Sequence, residues 1–281
     1  MLTQTIELPF AYRFDDAIAR LALDPLNAVN VNEQSIKIPL DNSIITIQSI
    51  GSFEEPKFNL IGIKTAEQLE RISSIFHFDR SLEPVNAHFA NTNLKELFVK
   101  FEGTPIITDF SLYANLIKSI IHQQLNLSFA RTLTERFVQA FGKQVDSVWL
   151  YPDADKIALL DVETLRSMQF STRKAEYIIG ISKVIAEGEL NLKSLSNESD
   201  ETIIHTLIKY RGIGPWTAES FLLFGLGREN LFPTADIGLQ NSLKQIWKLE
   251  SKPSKEEITM HFSTWSPYLS YAALYLWRNI E

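Results

Sequence analysis

The sequence predicts an α+β fold, in which a small antiparallel sheet with helices precedes a mostly α-helical core. Two observations carry this prediction. Before about residue 105, short stretches alternate between apolar and polar residues, which is the period of strands. After residue 109, apolar residues recur at the spacing of a helix face. We therefore expect an antiparallel α+β domain over residues 1–105 and an all-helical domain over residues 106–281.

The N-terminal part combines strands with two helices. Strands are expected at residues 35–40, 43–48 and 58–63. Between the first two, Asp41-Asn42 suits a two-residue hairpin turn. Apolar residues at helical spacing predict one helix over residues 15–23 and another over residues 65–76.

The second part is predicted to be helical almost throughout. Apolar stripes indicate helices around residues 116–121 and 129–138 and over residues 176–187, 200–210, 216–223 and 270–277. Two of these helices are joined by Gly212-Ile213-Gly214, so a helix-hairpin-helix is expected at about residues 200–225.

The composition is that of an ordinary globular chain, since 45% of the 281 residues are apolar and 22% are charged. There is no cysteine, which excludes disulfides, a thiolate zinc site, an iron–sulfur cluster and a cysteine nucleophile. No apolar run is long enough to span a bilayer, and the first residues lack the basic start of a signal peptide. A cytoplasmic location and no membrane partner are therefore expected.

The formal net charge of −7 argues against a protein that coats nucleic acid by bulk electrostatics. The hairpin offers a local alternative. Its two glycines leave the backbone bare, and Pro215 suits the first position of the second helix. Free amides at that helix start can bind phosphate without many lysines. Local positive charge is expected from Lys209, Arg211, Arg173 and Lys174. An isolated Gly-x-Gly, however, is more often only a tight turn.

Several separated motifs point to one family. They are residues 212–218, 231–236, 171–178 with 188–192, 121–125 and 270–277. Together with the N-terminal α+β unit, they resemble the helix-hairpin-helix DNA glycosylase superfamily, in particular its bacterial 3-methyladenine DNA glycosylase II type. The resemblance covers nearly the whole chain and implies a two-lobed helical core.

The resemblance implies a set of DNA contacts around the hairpin. The amides of Gly212, Gly214 and Thr217 would hold DNA phosphates. The carbonyl oxygens of Ile208, Tyr210 and Ile213 would bind a structural monovalent cation, Na⁺ or K⁺, and no cofactor would be required. Leu125 falls where the family has a wedge that fills the gap left by a flipped nucleotide; the alternative is an ordinary core leucine.

The resemblance makes Asp236 the catalytic carboxylate. Cleavage of an N-glycosidic bond leaves positive charge on the sugar, which a fixed carboxylate stabilises. From its own segment, Asp236 is equally explained as the N-cap of a following helix. Family members that also cut the DNA backbone have a lysine where this chain has Trp216, because an amine is needed for a Schiff base. A monofunctional enzyme that leaves an abasic site is therefore expected.

The base pocket is expected to contain Trp216, Trp277, Ser220 and Tyr271. Aromatic faces attract the positive charge of an alkylated purine, by about 1–2 kcal/mol each when desolvated. Core packing is the alternative for each tryptophan. This chain has Ser220 and Arg20 at positions where the family often has aromatic residues, which leaves the range of lesions open.

The function expected from these features is base-excision repair of alkylated purines in duplex DNA. Damaged double-stranded DNA is the expected partner, bound by a monomer that acts at the bacterial nucleoid. Two alternatives stay open: an oxidised-base glycosylase with the same fold, and a non-catalytic DNA-damage-binding module that uses the hairpin.

Overall fold

The computed structural model describes residues 3–40 and 43–280, and it confirms the predicted fold class. Its five-stranded antiparallel sheet has the order β1-β5-β4-β3-β2. The strands are β1 (Thr3–Glu7), β2 (Ala28–Asn30), β3 (Ser35–Leu40), β4 (Ser43–Ser49) and β5 (Lys57–Ile61). The predicted turn residues Asp41 and Asn42 lie outside the described residues.

The alternation in the sequence builds the core of this N-terminal unit. Ile36 and Ile38 of β3 pair with Ile47 and Ile45 of β4, and all four side chains are fully buried. Two helices, α1 (Phe14–Leu21) and α2 (Ala66–Phe76), pack their apolar residues against the sheet. The sheet is therefore half-buried, as period-two patterning requires.

The rest of the described chain is mostly helical. Its helices are α3 (Glu83–Phe89), α4 (Lys95–Lys100), α5 (Leu112–His122), α6 (Leu127–Phe141), α7 (Ala154–Ala158), α8 (Val162–Arg166), α9 (Thr172–Ala186), α10 (Leu192–Leu195), α11 (Asp200–Leu207), α12 (Pro215–Ser220), α13 (Ile237–Ile246), α14 (Lys255–Thr259), α15 (Phe262–Trp265) and α16 (Leu269–Arg278). A small hairpin of β6 (Lys143–Val145) and β7 (Val148–Leu150) interrupts them. The sequence pattern did not predict it or β2, because three-residue strands are too short to show a period.

The helices form two lobes with separate apolar cores. One core combines buried residues of α5, α6, α9, α11 and the hairpin. The other combines α3 and α4 with α13 to α16. A π-helical turn, Phe221–Gly225, continues α12 and joins the lobes, because Leu222 is buried in the first core and Leu223 in the second.

The packing bears on the domain organisation. Helices α3 and α4 precede residue 105, yet they pack with the C-terminal helices rather than with the sheet. Residues 82–106 therefore pack with the second helical lobe. The division of the chain into two domains at residue 105 stays a prediction. In residues 3–40 and 43–280, no helix is both long and apolar enough to cross a membrane.

Candidate active site and DNA interface

The hairpin between α11 and α12 needs its first glycine for steric reasons. Gly212 has φ of +95°, and a Cβ there would lie 2.3 Å from Cγ of Tyr177. Gly214 differs, since a Cβ at this N-cap of α12 would meet no heavy atom within 4 Å. Contact with Tyr177 therefore explains why residue 212 is glycine. No such contact explains Gly214, which has open space in front of it.

The backbone groups of the hairpin are available to ligands. Within the part of the chain that the structure describes, the amides of Gly212, Gly214 and Thr217 donate no hydrogen bond. The Tyr210 carbonyl oxygen accepts one bond, from the Ile213 amide at 3.1 Å. Three free amides at a helix start form an anion-binding surface.

A loop after α5 is fastened to the hairpin. Gln123 donates from Nε2 to the Gly212 carbonyl oxygen and to the Thr217 hydroxyl, both at 2.8 Å. The next residue, Gln124, has a left-handed conformation with φ of +55°. Leu125 then follows, half-buried against the first lobe. The predicted wedge therefore lies in a loop tied directly to the predicted phosphate site.

Lys174 supports the same loop from behind. Its Nζ donates to the carbonyl oxygens of Ile120, Ile121 and Gln123, at 3.0, 2.8 and 2.6 Å, where α5 ends. Burial lowers the pKa of this amine to about 8. The sequence suggested Lys174 as a DNA-facing charge, and the structure corrects this, because the ammonium points into the protein to satisfy the helix terminus.

Arg211, another of the cations expected at the hairpin, is partly neutralised. Its guanidinium lies 3.0 Å from the Glu176 carboxylate. The local positive surface is therefore weaker than the sequence suggested, which leaves more of the phosphate binding to the backbone amides.

Asp236 is both an N-cap and a candidate catalytic group. It precedes α13, and its Oδ1 accepts a hydrogen bond from the Leu239 amide at 3.0 Å. The same Oδ1 accepts a second bond from Nε1 of Trp277 at 2.9 Å. Gly238 permits this arrangement, because a Cβ there would lie 3.0 Å from Oδ1 and 3.3 Å from the Trp277 ring. Two donors thus fix the carboxylate through one oxygen.

Aromatic residues line the approach to this carboxylate. Trp277 packs against Phe224 of the π-helical turn, with ring centres 5.6 Å apart. Trp216 is half-buried and is absent from the described contacts of both lobe cores. Ser220, one turn after Trp216, is only 7% exposed. The packing therefore places Trp277 beside Asp236, whereas Trp216 is half-buried outside the two lobe cores.

Tyr271 does not belong to this surface. The sequence placed it in the base pocket, but its side chain is fully buried in the second core, and its hydroxyl lies 3.5 Å from Nδ1 of His77. Burial raises its pKa well above the usual value. On a helix buried over most of its circumference, periodicity does not show which face meets a ligand, and this is why the prediction failed.

Four residues of the site were missed or misread in the sequence: Gln123, Lys174, Phe224 and Gly238. Gly238 carried a usable signal, because glycine is unfavourable inside the first turn of a helix. Phe224 carried none, since its direction depends on the π-helical turn, which local sequence does not specify.

The described residues hold no cluster of His, Cys, Asp and Glu suited to a metal ion. A cavity of about 410 Å³ lies between the sheet and the first lobe, with Tyr113, Trp149 and Tyr151 among its walls. Its Lys118 is paired with Asp109. The cavity contains no residue of the candidate site.

Comparison with known proteins agrees with this geometry. Residues 117–267 match the family described as HhH-GPD superfamily base excision DNA repair protein. YfjP of Bacillus subtilis, whose name assigns it provisionally to the DNA-3-methyladenine glycosylases, is 48% identical over the full length of both chains. The DNA-3-methyladenine glycosylase of the same organism is 36% identical over 76% of this chain and 73% of its own.

The fold also matches a solved structure. The 3-methyladenine DNA-glycosylase from Archaeoglobus fulgidus superposes with a TM-score of 0.82 over 98% of this chain and 97% of its own, at 24% identity. The match extends through the N-terminal sheet as well as the helical lobes. With the hairpin and Asp236 placed as described, the chain belongs to the HhH-GPD superfamily of base excision DNA repair proteins.

Proposed function

We propose that this protein is a monofunctional DNA N-glycosylase that flips alkylated purines out of duplex DNA and hydrolyses their N-glycosidic bond. One observation carries the proposal: the Asp236 carboxylate is held at the aromatic wall of Trp277 and Phe224, downstream of a hairpin with free amides. The names of the relatives support the choice of alkylated purines.

The carboxylate can act on the sugar without a protein acid. In an alkylated purine nucleotide the base is cationic, so the bond between N9 and C1′ breaks with its electron pair, and the base leaves neutral. Positive charge then develops at C1′ and the ring oxygen. Asp236 Oδ1 is taken by Leu239 and Trp277, while Oδ2 accepts no hydrogen bond from the described residues. Oδ2 is therefore free to stabilise this charge and to accept a proton from the water that adds to C1′.

The absence of strand cleavage follows from Trp216. A lyase forms a Schiff base between an amine and C1′ of the sugar. Trp216 holds the hairpin position at which that amine would be required, and its indole cannot form the bond. The product is therefore an abasic site.

The hairpin and the loop after α5 hold the DNA in this proposal. The amides of Gly212, Gly214 and Thr217 bind phosphate oxygens, and Leu125 fills the gap left by the flipped nucleotide. Monovalent cation binding also fits, because the Ile208 and Ile213 carbonyl oxygens accept no backbone hydrogen bond in the described residues. With Tyr210, they would hold Na⁺ or K⁺ and add positive charge beside the phosphates.

One chain contains every group that the proposal uses, so the protein would act as a monomer on damaged DNA at the nucleoid. An oxidised-base glycosylase is disfavoured by Trp216. A non-catalytic binding module is disfavoured by the fixed orientation of Asp236, which a module that only binds DNA does not need.

Incubation with duplex DNA treated with a methylating agent tests the proposal, with released bases separated by chromatography. Release of methylated purines is expected, and strand breaks should appear only after alkali. If base release does not exceed that of the enzyme-free control, the glycosylase assignment is contradicted. A covalent complex trapped by borohydride would contradict the monofunctional assignment.

A further inference from the structure

A single side chain, that of Gln123, joins the two segments that hold the DNA in the proposed function. The loop after α5 carries Leu125, the hairpin carries the free amides, and Gln123 and Gly212 are 89 positions apart in the chain. Among the described residues, the two bonds from Gln123 Nε2 are the only hydrogen bonds between residues 123–126 and residues 208–217. The placement of the loop on the hairpin therefore depends on this amide.

The Gln123 amide reaches both sides of the turn that carries the free amides. Its two N–H groups can serve both acceptors at once, the Gly212 carbonyl oxygen before the turn and the Thr217 hydroxyl after it. The Gly212 carbonyl oxygen accepts no backbone hydrogen bond in the described residues, and Thr217 is only 1% exposed. Without the amide, both acceptors would lose a donor in a partly buried place, so these two bonds fix the loop firmly.

The backbone on either side of Gln123 is also held. The Gln123 carbonyl oxygen accepts a bond from Nζ of Lys174 at 2.6 Å. Three residues further on, Asn126 caps α6 through the Phe129 amide at 2.9 Å. Leu125 lies between these two anchors. A shift of the Gln123 side chain on the hairpin would therefore move Leu125 relative to the free amides.

This link matters because base flipping requires both segments to act on the same nucleotide. Extruding a base costs free energy of unpairing and unstacking. Phosphate binding by the hairpin and filling of the gap by Leu125 offset that cost together only if they are in register. On an undamaged duplex, whose bases stay stacked, the hairpin can bind phosphates without any contribution from Leu125.

We propose that Gln123 is a positioning residue that keeps Leu125 in register with the phosphates bound at the hairpin. Recognition of a gap in the base stack would then depend on Gln123, whereas binding to intact duplex would not. The inference rests on the roles of the hairpin and Leu125 in the proposed function and deepens them.

The test compares the dissociation constants of two labelled duplexes by fluorescence anisotropy, one with a stable abasic-site analogue and one undamaged. Gln123→Met keeps the length of the side chain but cannot donate. The dissociation constant for the abasic duplex should rise about tenfold, which lies within the range for two neutral hydrogen bonds. The constant for the undamaged duplex should stay within about threefold of wild type, because phosphate contacts supply binding of that kind.

Gln139→Met is the matched control. It removes a glutamine amide that donates to Glu135 at 3.1 Å on α6, the helix that follows the loop. Both dissociation constants should keep their wild-type values in this variant.

A double-mutant cycle with Leu125→Ala tests the link directly. In wild type, this substitution removes most of an apolar side chain from the gap, so the dissociation constant for the abasic duplex should rise about tenfold. In the Gln123→Met background, Leu125 is already out of register, and the same substitution should cost less than about threefold. A purely structural role of Gln123 in folding would leave the two effects independent.

Wild-type preference for the abasic duplex in Gln123→Met overturns the inference. Parallel losses on both duplexes also overturn it, since they assign Gln123 to folding or to general DNA binding, and so do additive effects in the cycle. If wild type shows no preference for the abasic duplex, the wedge in the proposed function fails, and the inference falls with it. A preference that survives in Gln123→Met leaves the proposed function standing and removes only the role of Gln123.

Discussion

Gly214→Ala separates the DNA-binding role of the hairpin from its folding role. The backbone at Gly214 has φ of −100° and ψ of 177°, which alanine adopts readily, and the added Cβ would meet no atom within 4 Å. Alanine gains about 0.4–1 kcal/mol by restricting the unfolded chain. It loses about 0.5 kcal/mol or more as a poorer N-cap than glycine. The free energy of unfolding should therefore change by less than about 0.5 kcal/mol.

The effect on DNA should be much larger. In the proposed complex, a phosphate oxygen comes within about 2.9 Å of the Gly214 amide nitrogen, through the open space in front of this residue. A methyl group in that space weakens or removes a hydrogen bond to a charged acceptor, which is worth about 1.5–3 kcal/mol. The dissociation constant should rise roughly 10- to 150-fold.

Fluorescence anisotropy with a labelled duplex containing a stable abasic-site analogue measures this change, and urea unfolding measures stability. Gly180→Ala is the matched control, because a Cβ there also meets no atom within 4 Å, but the residue lies within α9. It should raise stability and leave the dissociation constant unchanged. Wild-type DNA affinity in Gly214→Ala would refute the assignment of this amide to a phosphate.

Three further predictions concern the carboxylate, the loop after α5 and the two histidines His77 and His122. Trp277→Phe keeps an aromatic ring but removes the hydrogen-bond donor to Asp236. The single-turnover rate of base release should therefore fall about tenfold, which corresponds to about 1.4 kcal/mol less stabilisation of the transition state. An unchanged rate would show that this hydrogen bond does not contribute to base release. Lys174→Met leaves the carbonyl groups at the end of α5 without their ammonium donor, so the free energy of unfolding, measured in urea, should fall by about 1–3 kcal/mol and DNA binding should weaken. Lys174→Arg should restore part of both. Normal DNA binding in the methionine variant would show that Lys174 does not act through the loop. Burial lowers the pKa of His77 and of His122 to about 4, whereas both histidines are protonated near pH 6.5 in the unfolded chain. The free energy of unfolding should therefore decrease as the pH falls from about 6.5 towards 4, and asparagine at either position should reduce that slope. Equal slopes in wild type and variants would contradict this prediction.

Most features of the site that depend on local backbone conformation could be predicted from the sequence. Gly212 and Gly214 were placed at a turn between helices because glycine and proline act locally, and the structure has that turn. Both interpretations of Asp236 also fit one side chain, since the cap bond and the bond from Trp277 share Oδ1. The roles of these residues in DNA binding and catalysis stay predictions.

What the sequence could not predict depends on contacts between distant segments. Arg20 and Phe224 are about two hundred residues apart, and their contact requires the π-helical turn and the attachment of α1 to α16. Tyr271 was misplaced for the same reason, because a helix buried on nearly every side has no face that periodicity can assign to a ligand. Lys174 was read as a surface cation, although the end of α5 takes up its ammonium group.

The central claim, that the Asp236 carboxylate drives base release, is tested most directly by the single-turnover rate of Asp236→Asn on methylated duplex DNA. Asparagine still caps a helix well, so the fold should be preserved. Asp161→Asn is the matched control, because Asp161 caps α8 in the same way, through the Thr164 amide, outside the site. We predict that Asp236→Asn lowers the rate at least a hundredfold, as the loss of about 2.7 kcal/mol of charge stabilisation requires, while Asp161→Asn retains it. An Asp236→Asn enzyme that releases methylated bases at the wild-type rate would contradict the account.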